Sequence, residues 1–246
     1  MCILTEPAKV SATQILIAPD VERKRQFTVY KNSVMTDYQK NLMILPVPHP
    51  STLKFTDLSN YTDLFEDLEK SFALHEFGMN NSYTPKLNVF DVGSYRVSVA
   101  HNVSELNDVN PDEFGPIDDF IKHVMSKYYS DNWGFIVCKL RSGSKVKYHP
   151  FGYSHQMMNN GKLFVPTRHQ HNHQHGENSE ESFSDWDHSI YSFNTRSDAG
   201  NCTVEDTKLH FKPQMIQNFD FGYVKYLNKY EINGVRPNKD YIFGLA

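Results

Sequence analysis

Seven of the twelve histidines fall within residues 145–194: His149, His155, His169, His171, His173, His175 and His188. Asp185 and Asp187 lie in the same stretch. Imidazole and carboxylate are the donors that zinc and similar divalent ions accept, with three or four ligands at about 2.0–2.2 Å. His149, His155, His169, His171, Asp187 and His188 are therefore the candidate metal ligands. An ion held with one open position would activate water or polarise a carbonyl or phosphoryl oxygen, so metal-assisted hydrolysis is the reaction class these donors point to. The spacing reproduces neither an H-E-x-x-H helix nor a paired C-x-x-C finger. Residues 169–176 (HQHNHQHG) alternate His with Gln or Asn and run into the polar ENSEESFS, the composition of a solvated loop that holds no metal.

A hairpin is what would gather these side chains. Asn159-Asn160-Gly161 separates two extended stretches, 148–158 and 162–169, and is a strong turn signal. If Asn160-Gly161 forms a two-residue turn, Asn159 pairs with Lys162, and His149 and His155 face away from His169 and His171. If the loop has three residues with Gly161 left-handed, Met158 pairs with Lys162, and His149, His155, His169 and His171 share one face. Only the second register collects imidazoles.

A second chemistry starts at Cys2. Removal of Met1 would place a free α-amino group beside a thiol, the arrangement of N-terminal-nucleophile amide hydrolases. Cys138 lies in an apolar run and reads as core, and nothing beside Cys202 obviously activates it. There is no G-x-S-x-G elbow and no G-x-x-x-x-G-K-[ST] loop, so the signatures of an α/β-hydrolase and of a P-loop nucleotide site are both missing.

The elements around these residues follow from periodicity. Residues 13–18 (TQILIA), 26–30 (QFTVY) and 42–47 (LMILPV) read as strands of an antiparallel meander. Tyr61, Leu64, Phe65, Leu68 and Phe72 follow the helical period and predict an amphipathic helix over 59–72 with Ser59 or Asn60 as its cap. Ile117, Phe120, Ile121, Val124 and Tyr128 predict another over 117–129, with Pro116 at its first position. A polar link, 78–85, leads to two strands within 87–100 hinged at Gly93. Residues 133–140 (WGFIVCKL) form a buried strand, 141–144 a turn, 194–206 a loop, and 208–211 and 215–221 two further strands. The expected class is α+β, a mainly antiparallel sheet with two amphipathic helices, in a single globular domain spanning residues 1–246.

Composition bounds the rest. A net charge of −4 provides no basic field, so nucleic acid is not an expected partner. Three scattered cysteines are no disulfide framework and indicate a reducing compartment. The first residues, MCILTEPAKV, lack the positive start and apolar run of a signal peptide, and no window approaches the about 18 apolar residues of a membrane span, so the expected location is cytoplasmic. The 17 Phe and 14 Tyr supply a large aromatic core but also suit an interface. A non-catalytic module with a protein partner, or a homo-oligomer, is thus the alternative to a metal-dependent hydrolase, with the N-terminal-cysteine hydrolase third.

Overall fold

Residues 9–20 form one long strand, because the apolar run that begins at Ile15 is buried on both faces of its sheet. The computed structural model describes residues 2–38, 40–72, 91–93, 95–140, 146–171, 182–198, 200–216, 219, 222 and 224–245. The first elements are β1 (Cys2–Leu4), β2 (Lys9–Asp20), β3 (Arg25–Met35), β4 (Leu42–Pro48), β5 (Lys54–Asp57) and helix α1 (Leu64–Phe72). Strands β6 (Asp91–Val92) and β7 (Tyr95–Ala100), the short α2 (Pro111–Phe114), α3 (Asp119–Tyr128) and β8 (Trp133–Lys139) follow. The remaining elements are β9 (Val146–Lys147), β10 (Phe151–Gln156), β11 (Lys162–Val165), β12 (His169–Gln170), β13 (Phe183–Asn194), β14 (Asn201–Thr203), α4 (Val204–Lys208), β15 (Tyr226–Pro237) and β16 (Tyr241–Gly244).

These strands make three sheets. One has six strands in the order β12-β1-β4-β8-β7-β6; another runs β14-β15-β13-β2-β3-β10-β5, with β9 beside β3; β11 and β16 form the third. Alternation along each strand sends side chains to opposite faces. Cys2 and Leu4 of β1, Met43 and Leu45 of β4, and Ile15 and Ile17 of β2 meet in the core shared by the two large sheets. Ile3, Leu42 and Ile44 point the other way, onto Ile121, Val124 and Met125 of α3. Leu16 and Val29 turn outward onto Leu64, Phe65 and Leu68 of α1. Each large sheet is therefore buried on both faces, which is why β4 is buried at every residue.

This arrangement corrects the expected α+β class with two amphipathic helices. Among the described residues 48% are in strands and 20% are helical, in three sheets and four short helices. The two expected helices exist but are shorter. α1 begins at Leu64 because Ser59 and Asn60 lie in a turn closed by Tyr61 N–H to Leu58 O at 2.9 Å. α3 begins at Asp119, capped by Asp118, whose carboxylate accepts the Phe120 N–H at 2.6 Å. The strand expected over 208–211 is replaced by the end of α4, which starts on a capping box between Thr203 and Asp206. Of the strand expected over 215–221, Met215 ends a short 3-10 turn, and 217, 218, 220 and 221 lie outside the described residues. The same holds for the 78–85 link and the 141–144 turn. The three-strand meander is broken too: β2 and β3 pair, but β4 crosses to the other sheet between β1 and β8.

Candidate functional site

The histidine hairpin closes as the three-residue alternative requires and then stops. Gly161 is left-handed at φ +67, and Met158 bridges Lys162. Beyond that bridge β10 pairs with β3 and β5, while β11 pairs with β16. The two arms therefore belong to different sheets, and His149 never comes opposite His171.

His149 and His155 are buried separately. His149 turns Nδ1–H to the Pro150 carbonyl at 2.8 Å, stands edge-on to Tyr95 with ring centroids 5.0 Å apart, and lines a cavity with Gln14, Lys31 and Glu66. Tyr95 Oη donates to the His149 carbonyl at 2.9 Å. Gly93, left-handed at φ +61, leaves the room this ring needs, since a Cβ there would overlap the imidazole. His155, on β10 opposite Gln26, turns Nδ1–H to the Gln156 carbonyl at 2.8 Å. Burial lowers its pKa to about 4, so it is neutral at physiological pH.

Three of the candidate ligands do come together. His169 on β12, His171 just after it and His188 on β13 gather around Trp186. The His169 ring centroid is 4.5 Å from that of His171, 4.6 Å from His188 and 5.0 Å from Trp186. Two anchors set this geometry. β1 and β12 run parallel, with Cys2 N–H donating to the Arg168 carbonyl at 2.6 Å. Asn238 clamps β12, accepting the His169 N–H at 2.7 Å and returning its amide to the His169 carbonyl at 2.6 Å.

Burial keeps two of these rings, His169 and His188, neutral. Burial, then the nearness of His188 and the amino terminus, lowers His169 to about 2; burial, then His171 and the amino terminus, lowers His188 to about 3. His169 Nδ1 and His171 Nε2 are hydrogen-bonded to each other at 3.2 Å. Asp187 is turned aside: its Oδ2 accepts the Ala12 N–H at 2.6 Å, and its Oδ1 is 3.8 Å from His188 Nδ1. Among the described residues no group of three or more His, Cys, Asp or Glu side chains is placed to hold a metal ion. The expected six-residue set thus falls into His149, His155, Asp187 and the group of His169, His171 and His188, and His173 and His175 lie outside the described residues.

Cys2 is in the core. It is fully buried beside Tyr30 and Asn32, and burial pushes its thiol up to about 11. A nucleophile needs a thiolate in reach of substrate, and this environment opposes both. Ser154 Oγ accepts from the Arg25 guanidinium at 2.9 Å and is not bonded to His155.

One feature escaped sequence reasoning altogether. Ala12 is left-handed at φ +52, at a register shift between Ser11 and Gln14 in β2, and beside it a cavity of about 590 Å³ opens, with His169, His171 and Trp186 in its lining. Alanine carries no turn signal, so nothing in the local composition marks the bulge. Among the described residues no helix is long and apolar enough to cross a membrane.

No family model matches the sequence, and no curated protein matches it. Solved structures do. The crystal structure of baculovirus P35 is similar over 99% of this chain and 99% of its own, with a TM-score of 0.55 and 16% identity. P35 in the caspase-8/P35 complex is similar over 96% of both chains, with a TM-score of 0.51 and 14% identity. At these identities the likeness is one of fold, and it extends over nearly the whole of each chain.

Proposed function

We propose that this chain is a non-catalytic protein-interaction module whose partner is a protease of the caspase class. The observation that carries this is the likeness in fold, over 96% of both chains, to P35 from its complex with caspase-8. The chain's own chemistry supports it by subtraction from the enzyme alternatives. Cys2 is buried with a raised thiol pKa, His155, His169 and His188 are buried and neutral, and the hairpin that would have collected metal ligands divides between sheets. A framework of sheets covered on both faces is a rigid support for surface segments that contact a partner.

The test is direct. Purified chain is titrated into active caspase-8 while hydrolysis of a fluorogenic peptide is followed, and the mixture is run on size exclusion. The expected result is loss of hydrolysis that saturates near one equivalent, with both proteins co-eluting. Undiminished hydrolysis and separate elution at micromolar concentrations would sink the assignment.

A further inference from the structure

Strands β2 and β13 lie side by side in parallel, Thr13 opposite His188 through Ile17 opposite Ser192. On the N-terminal side of that ladder they part. Ala12 occupies the register shift, and its N–H goes to the Asp187 carboxylate. Beyond it β2 still pairs with β3 through Lys9, Val10 and Ser11, and β13 still pairs with β15 through residues 183–187, so each strand keeps the ladder on its far side. Along this gap lies the cavity of about 590 Å³, lined by residues 7–11 and 184–187 and reaching residues 35–38 at the end of β3 and His169 and His171.

Strand geometry sets what fits there. An extended residue takes about 3.3 Å along the strand, about 4.8 Å across to its neighbour and about 10 Å through the sheet, roughly 160 Å³. The cavity therefore corresponds to roughly four extended residues, matching the stretch 184–187 along its β13 wall. Charge selects among occupants. Asp37, Asp185 and Asp187 line the cavity against Lys9. The chain's own connection, 172–181, carries Glu177, Glu180 and Glu181 and no lysine or arginine, so its charge does not complement the cavity.

We propose that this cavity receives an extended peptide segment of a protein partner, about four residues long with lysine or arginine at alternate positions, which adds a strand between β2 and β13. Its inward side chains meet His169, His171 and Trp186, and its outward cations meet Asp185 and Asp187, both exposed. The slot does not depend on the caspase-class assignment and stands or falls without it.

Acetyl-Lys-Val-Lys-Val-amide and acetyl-Glu-Val-Glu-Val-amide are titrated into the full chain carrying Trp133→Phe, reading the fluorescence of Trp186. The lysine peptide is expected to saturate, about tenfold or more tighter than the glutamate peptide. Ser11→Phe, which fills the slot without adding a second tryptophan, should abolish the signal while leaving circular dichroism and melting like the parent's. Asp185→Lys, an exposed change, should reverse the preference between the peptides, and it serves alone if Ser11→Phe does not fold. Overturning results are no saturation by the lysine peptide at millimolar concentration, equal binding of both peptides, or binding unchanged by Ser11→Phe or Asp185→Lys.

Discussion

Two sets of buried histidines share this fold and are held by different means. His149 and His155 each bond Nδ1 to the carbonyl of the next residue, at 2.8 Å in both, so one step of local backbone orients the ring. His169, His171 and His188 are oriented by one another, by Trp186 and by the Asn238 clamp on β12. The first kind is a local hydrogen-bonding habit that any strand end provides. The second exists only because β12 and β13, distinct in sequence and in different sheets, are brought against each other. Histidine content alone cannot tell these apart, and both kinds border cavities, His149 on one side of the molecule and His169 with His171 on another.

The comparison breaks most easily at its centre. Trp186→Ala removes the ring against which His169, His188 and Tyr241 pack. It should cost about 3–5 kcal/mol in urea unfolding, the usual loss for a large buried aromatic; a cost under about 1 kcal/mol would mean that the cluster does not depend on it. On the local side, Gly93→Ala forces a Cβ into the His149 ring at a left-handed backbone position. The expected loss is about 2–4 kcal/mol, and relief of part of it by His149→Ala would confirm the clash as the cause.

The pH dependence sharpens the contrast. His155 is lowered to about 4, His188 to about 3 and His169 to about 2, all below the ordinary value of about 6.5. The unfolded chain therefore binds more protons below pH about 6.5, and the stability present above that pH is lost as pH falls toward the folded-state values. Each histidine contributes a slope of about 1.4 kcal/mol per pH unit in that window. His155→Gln should remove one such slope from the urea-derived stability profile, and His169→Gln with His188→Gln should remove two. Equal losses would erase the distinction between an isolated ring and a cluster.

The smallest effect concerns metal. Untagged protein purified without chelator or nickel resin and then dialysed is expected to carry only substoichiometric zinc. One retained equivalent, lost on His169→Ala but kept on His149→Ala, would make the cluster a metal centre and overturn its reading as packed rings without an ion.

Much of the secondary structure was legible in particular residues. Leu64, Phe65 and Leu68 announce α1, Ile121 and Val124 announce α3, and the run WGFIVCKL becomes β8, because periodicity acts within a few residues of the chain. The Asn159-Asn160-Gly161 turn was legible as well, but not its register: the Met158–Lys162 bridge is one of the two pairings the sequence allowed. Thr203-Val204-Glu205-Asp206 carries a capping signal inside the stretch expected to be a loop, and Gly234 and Pro237, residue types that usually end strands, both lie within β15, Gly234 opposite Trp186.

What the amino-acid order determined by itself is therefore short-ranged: where helices start, where turns close, which runs are apolar enough to be buried. Strand partnership was decided elsewhere. A strand's hydrogen bonds leave sideways, so nothing inside Phe151–Gln156 says that its neighbours are β3 and β5 rather than β11. The left-handed bulge at Ala12, the gap between β2 and β13 and the meeting of His169 with His188 follow from that pairing. They exist only after distant segments have packed, because the free energy that holds them comes from contacts that no local window contains.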